Sequence, residues 1–181
     1  GGTGTRAGFT YTLPSPTITS FTPLSAATGT TVTITGTNFT GATTVSFGGT
    51  AAQSFTVVNA TTITAVVGTG ASGNVSVTTP GGTATSNGFT FVAPPTITSF
   101  TPVTAPTGAT ITITGTNFTG ATIVTFGGIP AQSFIVNSAT SISAVVGAGA
   151  SGNVSVTTPG GTGTLSGFTY TTVTSTGGSG S

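Results

Sequence analysis

Apolar and polar residues alternate in short runs along this chain. In the run Thr31–Thr35, Val32 and Ile34 occupy one phase and threonines the other, and Val75 and Val77 repeat this spacing. A period of two places successive side chains on opposite faces of an extended strand, so the pattern predicts half-buried β-strands. No segment sustains the 3.6-residue apolar period of a helix, and glycine- and proline-rich turns separate the runs. The chain is therefore predicted to be all-β.

About seven short alternating strands in fewer than about 80 residues are typical of a two-sheet sandwich. The predicted strands of the first half lie near Thr17–Phe21, Thr31–Gly36, Thr43–Phe47, Ala52–Val57, Thr61–Val67, Asn74–Thr79 and Gly88–Val92. Its predicted core residues are Phe21, Ile34, Phe39, Phe47, Phe55, Ile63, Val75, Val77 and Phe89.

The sequence contains a long internal repeat. Thr17–Phe91 aligns with Thr96–Tyr170 at a constant offset of 79 positions, without gaps and with 56 identities in 75 positions. Two copies of one structural unit are therefore expected. With proline-containing segments as joints, the predicted repeats span residues 14–92 and 93–171, and residues 172–181 form a Gly/Ser/Thr-rich flexible tail.

A partial third copy opens the chain, because Gly1–Tyr11 matches Gly160–Tyr170 at nine of eleven positions. Residues 1–13 are thus predicted to be the terminal strand of a preceding repeat. The segment Gly8–Thr12 is either a remnant of that repeat or a strand donated to a neighbouring chain. Since the sequence has no Met, we expect it to be a processed product or an excerpt of a longer chain.

Charge is almost absent from the composition. Arg6 is the one charged side chain among 181 residues, with no Asp, Glu, Lys, His or Cys, whereas threonine occupies 49 positions. One arginine cannot neutralise a phosphate backbone, so nucleic-acid binding is not expected. No apolar run approaches the roughly 20 residues of a membrane-spanning helix, and direct membrane insertion is not expected either.

The same composition argues against catalysis. A Ser or Thr nucleophile needs a neighbouring base, and besides Arg6 only Tyr11 and Tyr170 carry titratable side chains. Zinc has no ligands here, and calcium and magnesium sites are built chiefly from carboxylates. We therefore predict no enzyme activity, no catalytic residue, no cofactor-binding residue, no metal site and no cofactor.

Two short patterns need a structural test. Gly68–Gly73 satisfies G-x-G-x-x-G, but predicted strands lie on both sides, whereas a phosphate cradle precedes a helix; we interpret it as a loop. N-x-S/T sequons begin at Asn38, Asn59, Asn74, Asn117 and Asn153. For Asn38 and Asn117 a turn or bulge hydrogen bond is the favoured interpretation. Glycosylation, including that of the threonine-rich faces, remains open.

The order PTITSFTP, TVTITGTNF, VSFGG, ITAVV, GNVSVTTPGG and GFTF resembles the IPT/TIG domain, the immunoglobulin-like domain of plexins and transcription factors. The resemblance covers both repeats and the opening fragment, and ITGTNF followed by FGG is its most specific part. It implies tandem immunoglobulin-like sandwiches. Family members include DNA-contacting domains, accessory domains of starch-processing enzymes, receptor stalks and tandem repeats of bacterial surface proteins; this chain is most similar to the last group.

Our main hypothesis is a structural repeat of an extracellular or cell-surface bacterial fibre, stalk or matrix. Lysine normally protects exposed strand edges from pairing between chains, and that protection is almost missing here, so self-association is expected. One alternative is an adhesin or glycan-binding module with a glycan or cell-surface partner, for which Tyr11 and Tyr170 are the candidate aromatic platforms. Another is an inert spacer that carries a distant functional domain.

Overall fold

The computed structural model describes residues 12–172. The chain divides into two compact units, the first ending at Phe91 and the second beginning at Val92. Each unit consists of one four-stranded and one five-stranded sheet. The inward side chains of both sheets form one apolar core per unit. The prediction of tandem immunoglobulin-like, all-β sandwiches is confirmed.

In the first unit nine strands form the two sheets. They are β1 (Thr17–Thr22), β2 (Ser25–Ala26), β3 (Thr31–Thr37), β4 (Thr44–Phe47), β5 (Thr50–Ala51), β6 (Ser54–Asn59), β7 (Thr62–Val66), β8 (Gly73–Thr79) and β9 (Gly82–Phe91). The four-stranded sheet has the order β1-β3-β7-β6, and the five-stranded sheet has the order β2-β9-β8-β4-β5. All neighbouring pairs are antiparallel except β2 and β9, which are parallel.

The second unit repeats this arrangement. Its strands are β10 (Thr96–Thr101), β11 (Thr104–Ala105), β12 (Thr110–Thr116), β13 (Ile123–Phe126), β14 (Ile129–Pro130), β15 (Ser133–Ser138), β16 (Ser141–Val145), β17 (Gly152–Thr158) and β18 (Gly161–Tyr170). The sheet orders are β10-β12-β16-β15 and β11-β18-β17-β13-β14. Every strand lies 79 positions after its counterpart, as the gapless repeat requires.

Most of the predicted core residues are buried. Eight of the nine predicted for the first unit are in its apolar core, and the exception is Phe55. Phe55 packs against the core but stays partly exposed, because β6 is the last strand of its sheet and has a neighbour on one side only. Phe89 lies at the centre of an aromatic group, with its ring centroid 4.8 Å from that of Phe47 and 6.4 Å from that of Phe21.

Two of the predicted strands were misplaced. The strand expected at Ala52–Val57 is Ser54–Asn59. The short strand β5 precedes it, because Gly48 and Gly49 adopt positive φ angles of 57° and 84° and form a tight turn after β4. The strand expected at Gly88–Val92 begins at Gly82. Within it the pairing with β8 shifts register between Gly73 and Val75, so the alternation is interrupted and the first half of the strand was missed.

The buried Phe39 provides a test of the core. Its side chain is fully buried and its ring lies against Gly36 on β3. We expect Phe39→Ala to lower the free energy of unfolding of the first unit by about 3–5 kcal/mol, since a large-to-small core change loses transfer energy and leaves a cavity. Calorimetry should then resolve two transitions, with the intact second unit as internal reference. Leu24→Ala, at a side chain that is 63% exposed, is the control. A single, unshifted transition in Phe39→Ala would contradict this account.

Candidate functional site

The titratable side chains that the sequence analysis singled out do not form a site in the described residues. Arg6 and Tyr11 lie outside residues 12–172, so Tyr170 alone can be placed. Its hydroxyl oxygen lies 2.7 Å from Oγ1 of Thr107 in a hydrogen bond. Its ring packs against Gly149 and against the core of its own unit. Tyr170 is therefore half-buried within its unit, and its ring is not a free platform for a sugar.

Asn38 fastens the segment that enters the first unit. It adopts a positive φ of 57°, and its Nδ2 donates a hydrogen bond of 2.9 Å to the carbonyl oxygen of Ser15. Asn117 repeats this in the second unit, with φ of 58° and a bond of 3.0 Å to the carbonyl oxygen of Pro94. Asn tolerates the left-handed region better than most residues. A hydrogen bond from each of these two asparagines is present, but it reaches back 23 residues to the segment before the first strand instead of closing a local turn or bulge.

A glycine completes this attachment. Gly81 lies so close to the carbonyl group of Pro14 that a Cβ atom would overlap it, and Gly81 also accepts a hydrogen bond of 2.9 Å from the Ser15 hydroxyl. A small cavity of about 230 Å³ lies beside this contact, with Leu13, Asn38 and Pro80 among its lining residues. Neither Asn38 nor Gly81 offers a reactive group, so the arrangement anchors the chain rather than performing chemistry.

Two further predicted patterns have structural roles. Gly68–Gly73 joins two strands, β7 and β8, which confirms its interpretation as a loop. Within the loop, the Ser72 hydroxyl accepts a hydrogen bond of 2.9 Å from the amide of Phe91, and the Phe91 ring lies against Gly70. The loop thus holds the end of the last strand, and no helix N-terminus follows it to bind a phosphate.

The sequons differ in geometry. Asn59 accepts hydrogen bonds from the amide nitrogen and the hydroxyl of Thr61, at 2.8 and 2.9 Å, and so closes the turn between β6 and β7. In the second unit Ser138 takes the place of Asn59, and its hydroxyl oxygen accepts a bond of 3.1 Å from the Thr140 amide. Asn74 and Asn153 are exposed near the starts of β8 and β17.

An open groove of small polar residues lies on the five-stranded sheet of the first unit. It has a volume of about 510 Å³, and it is lined by Ser46, Ser76, Asn74 and neighbouring glycines. Ser46 and Ser76 face each other across β4 and β8. These groups donate and accept neutral hydrogen bonds. This groove was not predicted from the sequence, because its residues come from two separated segments, residues 46–49 and 72–76, that only the pairing of β4 with β8 brings together.

Threonines form a continuous row across the four-stranded sheet of the first unit. The strand pairing places Thr22 beside Thr33, Thr33 beside Thr64, and Thr64 beside Thr56, so the row crosses all four strands. Several exposed threonines are also paired directly, including Thr17 and Thr37, whose hydroxyl oxygens lie 2.8 Å apart. Cross-strand threonine pairs thus form within the sheets of this chain.

In the second unit the equivalent row ends differently. It runs through Thr101, Thr112 and Ser143 and ends at Ile135 on β15. Ile135 is 69% exposed and stands where the first unit has Thr56. The strand that carries it is the last of its sheet among residues 12–172. This difference between the repeats is visible in their alignment, although the exposure of the position is not.

A family model for the IPT/TIG domain matches residues 16–93 and 95–176. Because the two matches cover most of the sequence, the chain belongs to the IPT/TIG family. No curated protein matches the chain. Within residues 12–172 the structure has no helix of the length and hydrophobicity needed to cross a membrane.

Several solved structures are similar to the chain, each with a TM-score below 0.5. SGBP-B from a complex xyloglucan utilization locus in Bacteroides uniformis is 25% identical, with a TM-score of 0.42, and the match covers 86% of this chain and 49% of that one. The plexin A4 extracellular region is 24% identical over 87% of this chain and 16% of its own, with a TM-score of 0.44. The surface glycan-binding protein PbSGBP-B from Prevotella bryantii is 16% identical over 86% and 42%, with a TM-score of 0.43. The chain thus spans half or less of each.

The asparagine anchor yields a test with matched variants. Asn38→Ala removes the bond to Ser15 and places an alanine at positive φ, so we expect a loss of about 1–3 kcal/mol in the free energy of unfolding of the first unit. Asn38→Gly removes the bond but keeps the backbone conformation accessible, and it should cost less. Urea unfolding of both variants measures the difference. An alanine variant no less stable than the glycine variant would show that the positive φ imposes no cost.

Proposed function

We propose that the chain is a non-catalytic structural segment of a secreted or cell-surface bacterial protein, whose IPT/TIG modules act through contacts between their own uncharged sheets. The observation that carries this proposal is the combination of complete apolar cores with a surface that is polar but almost without charge. The sequence holds one charged side chain and no acidic residue, histidine or cysteine. Proton transfer, metal ligation and phosphate binding therefore lack the groups they require.

The uncharged, threonine-rich surface of the sheets is suited to contacts between modules. Exposed threonines cover both sheets, and their hydroxyl and methyl groups form hydrogen bonds and apolar contacts with one another. A cross-strand pair of this kind contributes about 0.2–1 kcal/mol, so a single contact is weak. Repetition along a chain of modules multiplies such contacts, and a net charge of only +1 gives little repulsion between two copies.

Self-association is the property to measure. We expect sedimentation of the purified chain over a concentration series to reveal oligomers, and electron microscopy to show regular assemblies. Because ionic contacts are not involved, raising the NaCl concentration from about 0.05 to 1 M should leave the association unchanged. A strictly monomeric chain at high concentration, or an assembly that salt dissolves, would contradict the proposal.

Glycan binding is the second candidate function, and the serine-lined groove of the first unit favours it. Ser46, Ser76 and Asn74 offer neutral donors and acceptors in an open depression that a sugar hydroxyl can reach. Surface glycan-binding proteins are named among the solved structures of similar fold, but that likeness extends to the fold alone. The sequence has no Trp, and within residues 12–172 the candidate platform Tyr170 packs against its own unit.

The groove yields a discriminating experiment. Calorimetric titration of the chain with xyloglucan and mixed-linkage glucan oligosaccharides should show saturable binding if the groove is a sugar site. Ser76→Arg would then abolish binding by filling the groove, whereas Leu24→Arg, at an exposed position outside the groove lining, would not. If neither saccharide binds, or Ser76→Arg binds like the unaltered chain, the groove has no such role. An inert spacer would neither bind these sugars nor associate.

A further inference from the structure

We propose that the outer edge of β15 is a self-association site, at which β15 of one chain pairs antiparallel with β15 of a second copy. The inference deepens the proposed function and rests on it, since it names the surface through which the modules meet. Pairing would join two four-stranded sheets into one continuous sheet across two chains. Ile135 lies at the centre of the proposed contact.

The position of β15 at a sheet edge leaves backbone hydrogen-bonding groups available for pairing. It is the terminal strand in the order β10-β12-β16-β15 among residues 12–172. Every second residue of a terminal strand directs its amide N–H and carbonyl away from the neighbouring strand, and these groups are best satisfied by another extended backbone. The occupant that fits is therefore a strand rather than a small molecule.

The sequence of β15 lacks the devices that block such pairing. SFIVNS contains no charged residue, no proline and no glycine, and three of its central residues are apolar. Segments of this composition pair readily when they lie at an edge, and natural sheets usually protect them with lysine or proline. The register with β16 is continuous from Ser133 to Val136 and shifts only after it. Four regular residues thus remain for pairing.

A second copy of the chain is the occupant that the observations favour. Two antiparallel copies of one strand around a twofold axis present identical groups to each other, so Ile135 of each chain can meet Ile135 of the partner strand on the outer face, while Phe134 and Val136 pack against the core. Ile135 is the most exposed large hydrophobic side chain in the described residues, at 69%. With Arg6 the one charged side chain of the sequence, charge repulsion between the copies is minimal.

Other edges of the two units are less suited. The five-stranded sheets end in strands of two residues, β2, β5, β11 and β14, which offer few groups for pairing. The opposite edge strand of the second unit, β10, has its register shift nearer the middle, between Ile97 and Ser99, and three residues in continuous register follow it, against four in β15. In the first unit β6 has the same position as β15, but Thr56 replaces the isoleucine. The contact at β6 is therefore expected to be the weaker one.

A charged residue at the centre of the edge tests the site. We expect Ile135→Lys to raise the dissociation constant of the self-associated chain by about tenfold or more in sedimentation equilibrium, because edge lysines oppose pairing. The matched control is Val103→Lys, which adds the same charge at a 57% exposed side chain in the segment between β10 and β11. Both side chains are exposed, so both variants should retain the melting temperature of the unaltered chain.

A cysteine introduced into this cysteine-free sequence locates the contact directly. Ile135→Cys should form disulfide-linked dimers under mild oxidation, in large excess over Val103→Cys at equal concentration. Comparable cross-linking of the two variants, or unchanged association of Ile135→Lys, would overturn the β15 site while leaving self-association itself intact. A chain that never associates would instead refute the proposed function and, with it, this inference.

Discussion

The apolar layer between the two sheets of each unit is the interaction on which the rest of the structure depends. Because the sequence has no acidic side chain, neither unit gains stability from carboxylate ion pairs. The stability of each fold therefore comes from apolar burial and neutral hydrogen bonds. Fully buried residues such as Phe47, Ile34 and Ile63 supply this burial, at about 1.5–3 kcal/mol for each side chain. The aromatic group around Phe89 joins residues from separate strands into one core.

The surface chemistry follows from that core. In β3, Val32 and Ile34 face inward, so the threonines between them must face outward, and the same holds on the neighbouring strands. The result is a polar surface made almost entirely of hydroxyl and methyl groups. Such a surface lacks groups for acid–base chemistry, and within residues 12–172 the sheet edges carry no charged side chain.

The most specific family motif, ITGTNF, has an architectural role. Gly36 leaves room for the Phe39 ring and for the backbone at Thr17, and Asn38 adopts the positive φ that turns the chain and reaches the carbonyl of Ser15. Each of these residues shapes the fold without entering any chemistry. This explains why membership of the IPT/TIG family defines the architecture firmly and leaves the partner to be decided by other surfaces.

Alternation and the 79-residue repeat were sufficient to predict the sandwich class, the two units and most core residues, since burial of one face imposes a period of two. Strand boundaries at Gly82 and Ser54 were not predictable, because a register shift and a glycine turn interrupt the period. The sequence by itself determined which face of a strictly alternating strand such as β3 turns inward, because apolar residues recur on one face only. Only the tertiary structure decided which strand ends each sheet, because strand order arises from pairing between distant segments, and that order exposes Ile135 at an edge.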